Sequence, residues 1–289
     1  MRNSKLTPVI LLLPLMAVTL TVIIACVNVL LQSIGYVPAF GLTKITLGYY
    51  REVFKRPEFL SALWVSLRIA FVSTLLAAAL GTLLCAALVK RRAGGGMLYT
   101  VRFPILVPHT VVALFIMTLL GQTGIVARAA YGLGLISDYT KFPPILFTPG
   151  YGGAIAGYLW KEIPFVAYYT LALMASVSNT LGEAAENLGA SPLRSFFSVT
   201  LPMSLPAVSK AALIIFIYAF GGYELPALLG STLPKALPVQ AYITYLSPDL
   251  LQRSLAMAMF GVILMLSVLM AALYSIGIRR LIKRLGGEA

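Results

Sequence analysis

Charged side chains inside long apolar stretches are the most chemically informative feature of this 289-residue sequence. Lys161 and Glu162 are adjacent within one such stretch, and Glu224 lies near the end of another. A charge inside a membrane-spanning helix is costly and usually faces a cavity or a partner charge. Three neighbouring aromatic side chains can stack on a ligand. The candidate polar path therefore consists of Tyr158, Trp160, Lys161, Glu162, Tyr223 and Glu224.

Each of these positions also has a purely structural interpretation. Lys161 and Glu162 can instead lie at the outer interface and pair with neighbouring loops, and Glu224 can be a solvated acid at a helix end. Aromatic residues at helix ends commonly serve as interface anchors. Pro164 favours a bent helix, and the glycine pair Gly221-Gly222 favours a broken one, as in helices that line a cavity. The sequence alone leaves both interpretations open.

Arg68 and His109 are two further ionisable groups within apolar stretches. Arg68 is expected to extend towards the interface or to form an ion pair with Glu224 or Glu162, rather than to contact a substrate. His109 is predicted to lie near the cytoplasmic third of its span, as a packing residue with its hydrogen bonds satisfied.

The motifs of several enzyme classes are missing from the sequence. The dipeptide Gly-Lys does not occur, so the chain has no phosphate-binding loop for ATP. A single histidine excludes the H-E-x-x-H zinc motif, and no Ser-His-Asp set suggests itself. Cys26 and Cys85 lie inside apolar stretches and are expected to be buried packing residues. We therefore predict no catalytic residue, no bound metal and no bound cofactor.

The composition is that of a helical membrane protein. Hydrophobic residues make up 60% of the chain and charged residues 11%, whereas charged residues make up about 25% of a soluble domain. The apolar runs are long enough to cross a bilayer as helices. The net charge of +13 comes from basic residues clustered at the ends of these runs. Such clusters indicate membrane orientation, and we expect a lipid bilayer rather than nucleic acid as the partner.

Six membrane-spanning helices are predicted, which makes the fold all-α and polytopic. Their approximate ranges are 8–33, 60–89, 103–121, 152–176, 208–229 and 254–278. Lys90-Arg91-Arg92 lies on a very short loop, Arg2 and Lys5 precede the first span, and a basic tail follows the sixth. These clusters predict that both termini and the loop between the fourth and fifth spans are cytoplasmic.

The polar stretch 180–206 between the fourth and fifth spans is predicted to form two short helices. Thr180 and Glu183 have the spacing of a capping box, which would start the first helix. Gly189 suits a left-handed residue at the end of that helix. The apolar side of the two helices is expected to carry Leu181, Ala184, Ala185, Leu188, Leu193, Phe196 and Phe197.

The second short helix has its own start and stop signals. Ser191 is predicted to cap it, with Pro192 at its first position. Pro202 and Pro206 are predicted to end it. The alternative for the whole stretch is an amphipathic linker lying on the membrane surface.

The residues Glu183-Ala184-Ala185, Gly189 and Leu201-Pro202 resemble the cytoplasmic E-A-A…G…L-P loop of binding-protein-dependent ABC importer permeases. The resemblance extends from about residue 47 to 289, which makes 47–289 a permease core and 1–46 a generic first helix with the start of an outer loop. It implies the six-helix fold of type-I importers, also called MetI-like, and a location in the bacterial cytoplasmic (inner) membrane.

The same resemblance implies the partners and the site. The loop would dock on a cytoplasmic ATPase dimer, which binds ATP and magnesium, beside a second permease subunit, identical or homologous. An extracytoplasmic solute-binding protein would deliver the solute. The coupling residues that match the family's loop or could anchor the contact are Glu183, Ala184, Ala185, Gly189, Phe196, Phe197, Leu201 and Pro202.

The solute and the energy source have alternatives at this level. The segments E-A-A-E-N-L-G-A-S and F-G-G-Y-E-L-P-A-L-L-G are similar to the polyamine, iron, opine and phosphonate branch of the family. The rival function is an ion-coupled secondary transporter working without an ATPase. Such transporters normally carry internal repeats, and none is evident here. A simple channel is a third alternative, for which the sequence has no recognisable ring motif.

Overall fold

The computed structural model describes residues 7–284, and this part of the chain is helical apart from connecting loops and one isolated bridge between Val37 and Leu42. The basic residues Arg2 and Lys5 lie outside the described residues. The helices are α1 (Thr7–Ser33), α2 (Gly48–Lys55), α3 (Pro57–Lys90), α4 (Gly95–Leu106), α5 (His109–Leu120), α6 (Ile125–Gly132), α7 (Gly152–Val177), α8 (Glu183–Asn187), α9 (Pro192–Ser195), α10 (Leu201–Gly221), α11 (Glu224–Leu229), α12 (Leu237–Tyr245) and α13 (Gln252–Arg284).

Most of the predicted spans are present with nearly the predicted bounds. Five helical segments of the described chain are long and apolar enough to cross a membrane, namely Leu11–Ser33, Pro57–Lys90, His109–Gly132, Pro192–Gly221 and Gln252–Gly277. The remaining predicted span, the fourth, is α7, which has 26 residues and carries Lys161 and Glu162. At 1.5 Å per residue α7 is roughly 39 Å long, which is enough to cross the hydrocarbon layer. The all-α, polytopic architecture is therefore confirmed.

The third span is broken, contrary to the prediction of one helix over 103–121. Val107 is extended, with φ −75° and ψ 130°, and separates α4 from α5. The reason is Pro108, because proline lacks an N–H group and disfavours the helical conformation of the residue before it. His109 therefore stands at the first position of a new helix.

The fifth span begins earlier than predicted and also breaks. Helical structure is continuous from Pro192 to Gly221, so Pro202 and Pro206 do not end a short helix. Pro202 lies in the first turn of α10, after a π-turn, and Pro206 lies inside α10. Prolines are tolerated in membrane helices where local adjustments and nearby side chains satisfy the freed backbone groups. The chain leaves the helix at Gly222, which is extended, and α11 follows.

The packed chain divides into two compact units. One comprises the chain up to Leu60 together with Gln240–Leu266. In it Tyr50 donates a hydrogen bond of 2.9 Å to the hydroxyl of Ser33, and Phe54 meets Phe59 edge to face with ring centroids 5.0 Å apart. The Tyr50–Ser33 bond holds α2 against the end of α1, and the ring contact joins α2 to the start of α3.

The other unit comprises Ser61–Val239 and the chain from Ser267. Its centre is α7, which packs against α4, α5 and α10. Ala77 of α3, Val166 of α7, and Ala211 and Ile215 of α10 form a buried apolar cluster. The helix α7 thus has buried neighbours along much of its length, which explains how it holds two ionisable side chains in its middle.

Candidate functional site

The first half of the coupling loop, which we define as residues 180–206, is a direct extension of α7. A π-turn, Ser178–Gly182, joins α7 to α8 without a break, and Gly182 has helical dihedrals of φ −65° and ψ −50°. Thr180 donates its hydroxyl to the carbonyl of Ser176 at 2.8 Å rather than capping a helix start. The predicted capping box is therefore wrong, because the chain is already helical when it reaches Glu183.

The turn at Gly189 is confirmed. Gly189 has φ +94°, in the left-handed region that favours glycine. Its N–H bonds to the carbonyl of Glu186 at 2.9 Å, and the N–H of Ala190 bonds to that of Ala185 at 3.0 Å. These bonds satisfy the carbonyls that would otherwise be free at the end of α8.

The start of the second helix is also confirmed. The hydroxyl of Ser191 accepts a bond from the N–H of Arg194 at 3.3 Å, and Pro192 occupies the first turn. The helix α9 then passes through a second π-turn, Phe196–Thr200, into α10. The coupling loop therefore consists of the ends of two long helices that meet at Gly189.

The two helix ends are tied together at the base of the loop. The buried hydroxyl of Ser195 donates to the carbonyl of Gly182 at 3.0 Å. This bond joins the end of the first π-turn to the residue before the second. Single π-turns inside helices are frequent at functional sites. The tip of the loop is therefore continuous with both α7 and α10.

The tip of the coupling loop is apolar and open. The exposed fractions of Leu188, Leu193 and Phe197 are 90%, 70% and 55%. Phe196 is half-buried and packs edge to face on Phe197, with centroids 5.1 Å apart. A cluster of exposed large apolar side chains on a polar loop is typical of a protein interface.

The basic loop after α3 lies beside the coupling loop. Arg92 is 3.8 Å from the carboxylate of Glu183, and both side chains are exposed. A cleft of about 660 Å³ opens between them and is lined in part by Leu83, Met174 and Phe196. The two segments that the sequence assigns to the cytoplasmic side are thus on the same end of this unit.

A polar cavity lies where the two helix breaks meet. Its volume is about 390 Å³. Its lining combines the first residue of α5 with residues of α7, the end of α10 and the start of α11. These residues are His109, Tyr158, Ile217, Tyr218, Gly221, Gly222, Tyr223, Glu224 and Leu225.

His109 is at the centre of the contacts in the polar cavity. Its Nδ1 lies 3.7 Å from a carboxylate oxygen of Glu224 and 3.1 Å from the hydroxyl oxygen of Tyr218. Its side chain is 11% exposed. The sequence placed His109 near the cytoplasmic third of its span, yet it stands beside residues assigned to the outer end of the fifth span. The cause is the break at Pro108, which starts a new helix there.

Lys161 and Glu162 are buried inside the unit, each with 8% exposure. The ammonium group of Lys161 donates to the carbonyl of Val107, the residue at which α4 ends. A cation at a helix C-terminus is favourable because it meets the negative end of the helix dipole. Burial supports the intramembrane interpretation of this pair over the outer-interface one.

The family model described as "Binding-protein-dependent transport system inner membrane component" matches residues 77–285. The chain belongs to this family. It is the permease subunit of a type-I ABC importer, a transport protein and not an enzyme.

Relatives of known function and solved structures agree with this assignment. The molybdenum transport system permease protein ModB of Haemophilus influenzae is 24% identical over 233 residues, covering 78% of this chain and 96% of the relative. The putrescine transport system permease protein PotI of Escherichia coli is 26% identical over 175 residues, covering 58% and 55%. A bacterial alginate ABC transporter, crystallised with an alginate pentasaccharide-bound periplasmic protein, has a chain that superposes with a TM-score of 0.73 at 20% identity, covering 96% of this permease and 98% of that chain.

The permease brings together only some of the residues predicted for the polar path. Tyr158, Tyr223 and Glu224 line the polar cavity. Lys161 and Glu162 are not among the described residues that line the cavity. Both side chains are buried, with 8% exposure each. Trp160 packs on Phe115, with ring centroids 5.3 Å apart.

Two residues that line the cavity were not predicted as part of the polar path, and of the two alternatives predicted for Arg68 the ion pair is not observed. His109 was interpreted as a packing residue, and Tyr218 was not singled out, although it lies one turn before the glycine pair. Arg68 donates to the carbonyl of Pro149 instead of pairing with a glutamate. That carbonyl belongs to the loop before α7, so Arg68 contacts this loop and does not contact the predicted polar path.

Proposed function

We propose that this permease moves a small polar solute across the bacterial inner membrane and is driven by a separate ATPase dimer that docks on the coupling loop. The proposal includes a second permease subunit and an extracytoplasmic solute-binding protein. ATP and magnesium bind to the ATPase, and this chain binds no cofactor. Both termini and the coupling loop face the cytoplasm. The observation that carries the proposal is the exposed apolar tip at the junction of two long helices.

The tip supports docking through its shape and chemistry. Leu188, Leu193 and Phe197 offer a compact apolar surface, and Phe196 supports Phe197 from below. Buried aromatic side chains at the centre of an interface often contribute about 2 kcal/mol or more when truncated. Glu183, Ala184, Ala185, Leu201 and Pro202 complete the predicted contact.

The mechanism follows from the continuity of the helices. Closure of the ATPase dimer displaces the tip, and the Ser195–Gly182 bond keeps the two helix ends moving as one body. The displacement passes along α7 and α10 to the polar cavity, roughly 40 Å away at 1.5 Å per residue. Movement of the helix breaks at Val107 and Gly222 then opens or closes the path.

The solute belongs to the polyamine, iron, opine or phosphonate type in this proposal. The named relatives include transporters of molybdenum and of putrescine, so the family by itself spans both anions and cations. The carboxylate of Glu224 and the imidazole of His109 in the cavity lining support a small polar solute over an apolar one.

The test uses a pair of matched leucine substitutions in the assembled transporter. Leu188 at the tip and Leu133 in the outer loop are both highly exposed, and neither supports the core. Leu188→Asp is expected to abolish copurification of an ATP-hydrolysing subunit and ATP-driven uptake in reconstituted vesicles. Leu133→Asp is expected to preserve both.

Two results would contradict the proposal. One is full ATP-driven uptake by Leu188→Asp. The other is uptake by the purified chain without any ATPase, driven by a proton or sodium gradient, which would establish the ion-coupled alternative.

A further inference from the structure

We propose that the polar cavity binds an organic ammonium group, with Glu224 as its counter-charge and Tyr158, Tyr218 and Tyr223 as an aromatic cage around it. This inference rests on the proposed function, since it names the chemical class of the solute that the permease carries. It goes beyond that function by assigning the recognition site to particular side chains of this chain.

The aromatic lining is the first support. Three tyrosines and one histidine surround a cavity of about 390 Å³. The rings of Tyr158 and Tyr218 lie 6.3 Å and 5.3 Å from the ring of His109, measured between centroids. A cation within about 6 Å of an aromatic centroid is attracted by the ring quadrupole, and cages of this kind recognise substituted ammonium groups. The aromatic lining therefore supplies the chemistry that attracts an organic ammonium group.

The second support is the set of charged groups in and around the cavity. Glu224 brings the carboxylate into the lining, and its side chain is 52% exposed. Among the described residues that line the cavity there is no lysine or arginine. The nearby ammonium of Lys161 is committed to the carbonyl of Val107. The ammonium of Lys161 also has the carboxylate of Glu162 as its neighbour in sequence. An anionic solute would place its charge beside the carboxylate of Glu224, and two like charges in such a site repel each other.

The third support is the geometry of the Glu224 carboxylate. Its carboxylate contacts His109 at 3.7 Å, which is longer than a hydrogen bond. An arriving ammonium group can therefore take the carboxylate without breaking a short bond. The carboxylate and the tyrosine hydroxyls would then accept bonds from any N–H groups of the solute, while the rings contact its methylene or methyl groups.

The shape of the cage depends on a close approach at the helix break. A methyl group added at Gly222 would overlap the hydroxyl oxygen of Tyr158. Tyr158 is almost fully buried, so its ring cannot swing away into solvent. The cage is thus built into the break between α10 and α11 and does not require a loop to fold over the solute.

The test measures binding to the purified complex of this permease with its partner subunits. The cationic probes are tetramethylammonium and putrescine, and the anionic probes are molybdate and sulfate, each titrated calorimetrically. The wild-type complex is expected to bind at least one cationic probe and neither anion. Glu224→Gln is expected to weaken cation binding by about tenfold or more, since it removes the counter-charge but keeps the shape.

Two substitutions of Tyr218 separate the contribution of the aromatic ring to binding from that of the hydroxyl group. Tyr218→Leu removes the ring and is expected to weaken binding by about tenfold, whereas Tyr218→Phe retains the ring and is expected to stay within about threefold of wild type. The controls are Glu52→Gln and Tyr139→Leu, which alter exposed residues away from the cavity and are expected to leave binding unchanged.

Three outcomes would overturn the inference: no binding of either cation by the wild type, binding of molybdate or sulfate at least as tight as that of the cations, or unchanged cation binding in Glu224→Gln. Copurification of the ATPase and its ATP turnover are measured on the same samples. Loss of ammonium recognition with a coupled ATPase refutes the cage alone, and ammonium recognition without an associated ATPase refutes the proposed function alone.

Discussion

The coupling loop and the polar cavity lie on the same two helices, α7 and α10, but are built in opposite ways. The loop is assembled from residues close in sequence, which reverse the chain at Gly189 and leave large apolar side chains open. The cavity is assembled from residues far apart in sequence, at two helix breaks, and its tyrosine, histidine and glutamate side chains face one another. The difference fits the two roles proposed above, contact of the loop with a protein and contact of the cavity with a small polar molecule.

Substitution of Gly189 by aspartate should produce the largest effect and would separate the two regions most clearly. Aspartate at φ +94° is strained, and its charge would enter the apolar tip. Nothing lies within 4 Å of an added Cβ, so the bundle itself should still fold. We expect normal membrane insertion and loss of ATP-driven uptake to near background in reconstituted vesicles.

Gly134 offers the matched control for this experiment. It also has a left-handed backbone, with φ +71°, and open space around an added Cβ, but it lies in the loop that the sequence predicts to be outside the cell. Gly134→Asp should retain uptake. Equal uptake by the two variants would remove the coupling role from Gly189.

Truncation of Phe197 should give the next largest effect. Loss of an interface anchor typically costs about 2 kcal/mol, which corresponds to roughly a 30-fold weaker association. Phe197→Ala should weaken ATPase binding to that extent in a titration of detergent-solubilised permease, without changing the thermal stability of the permease. Phe71→Ala, at a similarly exposed position on α3, should leave ATPase binding unchanged. A comparable loss in both variants would mean that exposure alone, and not the tip, governs the association.

A methyl group at Gly222 should alter the cavity while sparing the loop. Gly222→Ala would push against the hydroxyl of Tyr158, so the cage must deform. We expect the KM for uptake to rise by about tenfold, because a misplaced ring loses roughly 1.4 kcal/mol of solute binding. ATPase copurification should be unchanged. Gly94→Ala, where an added Cβ meets nothing, is the control. An unaltered KM in Gly222→Ala would show that the solute does not depend on this break.

Removal of the Lys161 ammonium should have the smallest effect. It tests whether the buried charges near the cavity contribute to the stability of the fold. Lys161→Met leaves the carbonyl of Val107 without its donor and Glu162 buried without a neighbouring cation. Val107 is partly buried, and loss of a hydrogen bond to a charged donor costs about 1–3 kcal/mol, which corresponds to a fall of a few degrees in Tm. Thermal unfolding followed by fluorescence would measure it. Lys210→Met, at an exposed lysine of α10, should leave Tm unchanged. A Tm equal to that of the wild type in Lys161→Met would argue that the bond from Lys161 to Val107 does not stabilise the fold.

Local backbone chemistry accounts for the sequence predictions that succeeded. The spans follow from unbroken apolar runs, and the turn follows from glycine at a left-handed position and from the Ser191-Pro192 start signal. Each of these depends on residues within a few positions of one another. The same local rules failed at Thr180 and at Pro202, because both positions lie inside helices whose continuity is set by long-range packing of α7 against α10.

The sequence by itself determined that this chain crosses a membrane several times, that it reverses direction at Gly189, and that its family's loop lies between the fourth and fifth spans. Only the tertiary structure decided that His109 meets Tyr218, 109 positions later in the chain, and that Lys161 reaches Val107, 54 positions earlier. The physical reason is that turns and helix ends depend on backbone torsions and neighbouring residues, whereas a cavity depends on which distant helices pack together.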